Sequence, residues 1–176
     1  MADFLVFVTI VLSAGIAAGT PILYGALGEI FTERSGILNL GVEGMMLIGA
    51  LTGIVASLAT DSVWIGALAA MAAGGLLSLI HAFISITLRG DQVVSGLALT
   101  IFGAGLSAFL GFPYVNVPAP KFATLSVPLL ERIPIIGPIF FQHDVTVYVA
   151  FMLIPAAWFW INRTRPGLHL RAVGEN

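Results

Sequence analysis

The chain has 176 residues, of which 59% are hydrophobic and only 9% charged, with a mean hydropathy of +1.04 and a formal net charge of −2. Soluble domains carry about 25% charged residues, so this chain cannot cover its own surface in water, and with no basic run nothing points to a nucleic-acid partner. It contains no cysteine, which excludes disulfides and thiolate metal sites.

Roughly 20 apolar residues are needed to cross a hydrocarbon core, and five stretches meet or approach that length: 4–27, 36–59, 62–88, 93–111 and 145–162. The first resembles a signal peptide only superficially. Met1-Ala2-Asp3 offers no basic side chain and the apolar run is too long, so it reads as a retained span, with Pro21 expected to kink or break it. The spans are separated by polar punctuation at 29–34, 60–61 and 89–92. The fourth gap, 112–144, holds six prolines, Pro113, Pro118, Pro120, Pro128, Pro134 and Pro138. It reads as an external Pro-rich loop, with a short interfacial or re-entrant piece around Ile133–Phe141. Placing the tail in the cytoplasm puts Arg34, Arg89, Arg163, Arg165 and Arg171 inside against Lys121 and Arg132 outside. The expected fold class is therefore all-α: a single polytopic transmembrane helical bundle over 1–176, with about five spanning helices and the N-terminus outside.

Small residues recur at a spacing of four in the first four spans: Gly15 with Gly19, Gly49 with Gly53, Ala70 with Gly74, and Gly103 with Ser107. Such pairs let helices approach closely, and a tight bundle is sufficient reason for most of them.

Segment 35–47 reads Ser-Gly-Ile-Leu-Asn-Leu-Gly-Val-Glu-Gly-Met-Met-Leu. Its glycines, Gly36, Gly41 and Gly44, mark a plausible interruption of helix. Asn39 and Glu43 are four apart and share a face if the segment is helical. A carboxylate among apolar neighbours suggests function by default; the competing reading makes Glu43 a structural hydrogen-bonding group near the inner interface. His81, in the third span, reads as a histidine hydrogen-bonded between helices, because no second histidine stands at ligand spacing and no metal site is expected. Ser95-Gly96 follows Val93-Val94 and so lacks the context of an intramembrane serine nucleophile. Asp91 suits a helix cap, which leaves Gln92 and Ser95 to be explained. The tail from Arg163 to Asn176 starts basic, and its second half, Gly167 to Asn176, reads as the beginning of a docking segment.

Three stretches, 33–47, 92–99 and 163–176, together resemble, in register, the permease subunits of ABC importers of the branched-chain amino acid, simple-sugar and nucleoside class. The likeness is greatest to the nucleoside and simple-sugar branch. It implies a cell-membrane, multi-pass permease that works with a second permease subunit, cytoplasmic ABC ATPase subunits and an extracytoplasmic substrate-binding protein. It further implies that Gly36, Asn39, Gly41, Glu43, Gly44, Gln92 and Ser95 line or shape the substrate pathway. Arg163, Arg165, Gly167, Arg171, Gly174, Glu175 and Asn176 correspond to the segment that couples to the ATPase. Family members continue beyond this point, so the sequence reads as the N-terminal part of a permease, and Asp91 stands where asparagine is commoner. The chain has no phosphate-binding Gly-x-x-x-x-Gly-Lys-Ser/Thr loop; it is not expected to be an enzyme or to hold a cofactor. The alternatives are a branched-chain amino acid permease, a proton-coupled transporter using Glu43, and a structural bundle that moves no solute.

Overall fold

The computed structural model describes residues 2–175. Five helices are long and apolar enough to cross a membrane: α1 (Ala2–Arg34), α2 (Val42–Thr60), α3 (Val63–Ala82), α4 (Gln92–Gly111) and α6 (Val145–Arg163). Between the last two lie strand β1 (Thr124–Ser126), the one-turn helix α5 (Ile136–Phe140) and strand β2 (Gln142–Asp144); a further helix, α7 (Arg165–Gly174), follows α6. The all-α multi-pass bundle expected from composition is the fold observed.

Three boundaries differ from expectation. α1 runs on through the polar residues 29–34 and contains Pro21 without ending there, as spanning helices can when other groups satisfy the freed carbonyl. α2 begins at Val42 rather than at 36, so residues 35–41 lie outside any helix. Asn39 and Glu43 therefore do not share a helical face. The Pro-rich stretch also has regular structure of its own: β1 and β2 pair antiparallel, with Leu125 opposite His143, and α5 occupies the part expected to be interfacial or re-entrant.

The chain forms two compact units, one of residues 28–121 and 170–176 and the other of 1–27 and 122–169. In the first, α2 packs against both α3 and α4. Lipid tails provide no hydrophobic drive for helix association, so close packing of small residues must supply it. A Cβ on Gly66 of α3 would lie 2.7 Å from the Gly53 carbonyl oxygen of α2, and one on Gly103 of α4 would lie 2.5 Å from the Gly44 Cα. Met45, Ile48, Leu77 and Leu99 fill the space around these crossings. The Ser107 hydroxyl donates across to the Leu47 carbonyl at 3.3 Å. α3 widens into a π-helical turn over Phe83–Thr87 before the chain reverses.

In the second unit, Asp144 caps α6 by accepting from Thr146 N at 2.8 Å. The Tyr24 hydroxyl of α1 donates to the Thr146 carbonyl at 2.7 Å. Tyr148 ties the hairpin to α6, accepting from His143 N at 3.2 Å and donating to the Leu125 carbonyl at 2.9 Å.

These crossings generate a stability prediction. Gly103→Ala overpacks the α2–α4 contact, which typically costs about 1–3 kcal/mol, and lowers the thermal unfolding midpoint in detergent. Gly105→Ala, with open space beside it, leaves that midpoint unchanged or slightly raised.

Candidate functional site

The site is built around the break between α1 and α2. α1 ends at Arg34 and is closed by Gly36, whose φ of +82° suits glycine, with Gly36 N donating to the Glu33 carbonyl and Ile37 N to the Thr32 carbonyl, both at 3.0 Å. This pair of bonds satisfies the last carbonyls of the helix. The residues that follow have no helical partners, and buried backbone groups must find others. Leu38 N donates to Gln92 Oε1 at 2.8 Å, Asn39 N to Glu29 Oε1 at 3.1 Å, and Gly41 N to Asn39 Oδ1 at 3.1 Å. The Thr100 hydroxyl donates to the Leu40 carbonyl at 2.7 Å. The break is thus held by α1 on one side and α4 on the other.

The start of α4 approaches closely because of Gly96, on which a Cβ would lie 2.9 Å from Leu40 N and 3.0 Å from Gly41 N. Asp91 caps this helix through Val94 N at 2.9 Å, as expected. Gln92 holds the break, and the buried Ser95 hydroxyl shares a 3.1 Å hydrogen bond with Nδ1 of the buried His81. His81 therefore joins α3 to α4. Its Nε2, the Ser85 hydroxyl and Glu29 Oε2 are buried without a hydrogen-bond partner among the described residues.

Of the residues expected on a substrate pathway, the fold brings Asn39, Gly41, Gly44, Gln92 and Ser95 together, and all but Gln92 are buried. Glu43 lies apart. Its side chain is exposed in the first turn of α2, where a negative charge suits the positive end of the helix dipole. Gly36 also lies apart, against Gly174 of α7: its added Cβ would come within 3.2 Å of the Gly174 Cα.

The expected coupling residues are spread along the end of α6 and α7. Arg163 closes α6, with its guanidinium 5.8 Å from the Trp158 ring centre. Arg165 is exposed at the start of α7, and Gly167 is buried with no room for a Cβ beside the Trp160 and Ile161 carbonyls. Arg171 is half-buried, its Nε without a hydrogen-bond partner among the described residues. A Cβ on Gly174 would overlap the Arg34 carbonyl oxygen and lie 2.9 Å from Gly36 N. Glu175 is exposed and its N–H donates to the Arg171 carbonyl at 3.1 Å; Asn176 lies outside the described residues. Sequence reasoning missed Glu29 and Thr100. The only signal for Glu29 was its place in polar punctuation, and nothing local marked Thr100 within its span. Among the described residues no group of three or more His, Cys, Asp or Glu could hold a metal ion.

Removing the acceptor from the break should be measurable. Asn39→Ala strands the Gly41 N–H, a loss of about 1–3 kcal/mol for a buried donor, and lowers the unfolding midpoint in detergent. Gln92→Ala lowers it less, by about 1 kcal/mol, and Gln92→Glu, which retains an acceptor oxygen near the helix N-terminus, restores most of the loss.

Comparison with known proteins places this arrangement in context. Over 169 residues the chain is 41% identical to TsgC13 of Haloferax volcanii, provisionally named a glucose ABC transporter permease, covering 94% of this chain and 51% of that protein. It is 38% identical to the guanosine ABC transporter permease protein NupQ of Bacillus subtilis, over 99% of this chain and 58% of the relative. It is 37% identical to the nucleoside ABC transporter permease protein NupC of Lactococcus lactis, over 89% and 53% respectively. The chain spans about half the length of these curated relatives. No solved structure matches it. The permease component of the branched-chain amino acid transport system matches residues 10–176, and the chain belongs to that family of multi-pass membrane permeases.

Proposed function

We propose that this chain forms part of the translocation pathway of an ATP-driven importer for a nucleoside or simple sugar in the cell membrane. Its partners are a second permease subunit, cytoplasmic ATPase subunits that hydrolyse the ATP, and an extracytoplasmic binding protein that delivers solute. The observation that carries this reading is the convergence of three stretches distant in sequence. The break at 35–41 is bonded to Gln92 and packed on Gly96 at the start of α4, and Gly174 at the end of α7 packs on Gly36 at its edge. Asn39, Gln92 and Ser95 are uncharged and both donate and accept, which suits a neutral, hydroxyl-rich solute. The relatives above are named for glucose, guanosine or nucleoside, in agreement with that chemistry.

The alternatives are less well supported. Against an amino acid, the carboxylate at the break, Glu29, already holds Asn39 N through Oε1, and the relatives above are named for glucose, guanosine or nucleoside. A proton site at Glu43 calls for a secluded carboxylate, whereas Glu43 is exposed in the first turn of a helix. In this reading Asn39, Gly41, Gly44, Gln92 and Ser95 shape the pathway, Glu43 stabilises the helix beside it, and α7 transmits the ATPase motion to the break through Gly174.

The assembled transporter in proteoliposomes should take up labelled nucleoside or sugar only with ATP, and a protonophore should not stop it. Asn39→Ala should lower uptake by about tenfold; uptake unchanged by both Asn39→Ala and Glu43→Gln would remove these side chains from the pathway. Gly174→Ala should lower uptake to a similar extent while ATPase subunits remain bound and active; release of those subunits would make Gly174 a docking residue instead. For topology, Asp61→Cys should react with an impermeant maleimide from outside, and Arg89→Cys only after the membrane is opened.

A further inference from the structure

The second unit contains a cavity of about 400 Å³ that the pathway residues above do not line. Its walls are one face of α1, including Thr9, Ile10 and Ser13, and the α5–β2 corner, with Pro138, Gln142 and His143. Solute sites commonly measure about 300–1,000 Å³. We propose that this cavity is a further binding site for a neutral, hydroxyl-rich solute, on the outer half of the first span; that location and the solute class rest on the importer reading above.

The polar groups of this lining have hydrogen-bonding capacity left over. His143 is buried, and its Nε2 bonds the Ile139 carbonyl at 2.7 Å. A carbonyl only accepts, so Nε2 carries the proton and, in the neutral ring, Nδ1 is an acceptor. The Thr9 hydroxyl donates to the Leu5 carbonyl at 2.8 Å, which leaves its oxygen free to accept. Ser13 and the Gln142 amide make no hydrogen bond among the described residues, and each can donate and accept. Among the described residues no charged side chain lines the cavity, so an ion would find no counter-charge there. Ile10 and Pro138 provide the apolar surface that the C–H face of a sugar or a nucleobase requires. The position has a second consequence. Thr9 and Ser13 lie within the first span, so α5 and β2 fold back beside a spanning helix. Non-helical backbone is tolerated at such depth where it lines a cavity.

The test uses the absence of cysteine from these 176 residues, with any cysteine elsewhere in the assembled transporter replaced first. Ser13→Cys and Gln142→Cys are made singly in the assembled transporter, and thiol labelling is timed with and without guanosine, glucose or leucine. At ten times the half-saturating concentration, guanosine or glucose should slow labelling by about tenfold, the occupancy factor 1 + [L]/Kd, and leucine should not. Labelling unaffected by guanosine and by glucose would overturn the proposal, and protection by leucine alone would overturn the solute class. ATP-dependent uptake is measured on the same samples. Protection without uptake would retain the site and refute the importer reading, and uptake without protection would do the reverse. Gln142 is exposed, so its variant keeps the test available if Ser13→Cys does not accumulate.

Discussion

The structure depends on one constraint: a chain that leaves helical geometry between two spans must find new partners for its backbone N–H groups. Leaving such a group buried and unpaired costs about 1–3 kcal/mol, and in the break at 35–41 the Gly41 N–H is buried and the Asn39 N–H partly so. Glu29, Asn39 and Gln92 supply the acceptors. Gln92 can reach Leu38 only if the start of α4 lies against the break. Gly96 permits that approach, and Gly44 and Gly103 continue it along the α2–α4 crossing. The glycines and the polar side chains thus solve the same problem: the former bring the backbones together and the latter satisfy them.

That logic explains what was legible in the sequence. The five spans followed from apolar runs long enough for a bilayer, and the fold class with them. The cap at Asp91 and the interhelical role of His81 followed from residue type and context, and the structure contains both. The pairing of Leu38 with Gln92 did not, because the two are 54 residues apart and nothing local marks one as the partner of the other. The start of α2 was misplaced for a related reason. Residues 36–41 are apolar enough to pass for helix, and the acceptors on Glu29 and Gln92 stabilise their non-helical path. Spacing of small residues was also ambiguous. A Cβ added at Gly49 or Gly53 would lie 3.3 Å from α3, whereas one added at Gly15 or Gly19, at the same spacing, would have nothing within 4 Å among the described residues. Sequence spacing records the capacity for close approach and not the identity of a neighbour.

The contact of Gly174 with Gly36 bears on the proposed mechanism for a physical reason. Contacts between long side chains yield by changing rotamer, but a backbone-on-backbone contact has no such compliance. A displacement of the end of α7 would therefore pass to the break with little loss. Glu43, exposed in the first turn of α2, stands outside the polar groups that hold the break, whereas the Glu29 carboxylate is one of them. The proposed pathway and the cavity beside α1 share uncharged groups that both donate and accept, so both favour the same class of solute.

The most direct test of this account is amide hydrogen exchange at Leu38, Asn39 and Gly41 in the transporter held in lipid nanodiscs. The account predicts that all three amides, although outside any helix, are protected to a degree comparable with the interior of α2. Exchange at the rate of an unstructured peptide would contradict it, because the break would then be an open loop rather than a clamped joint.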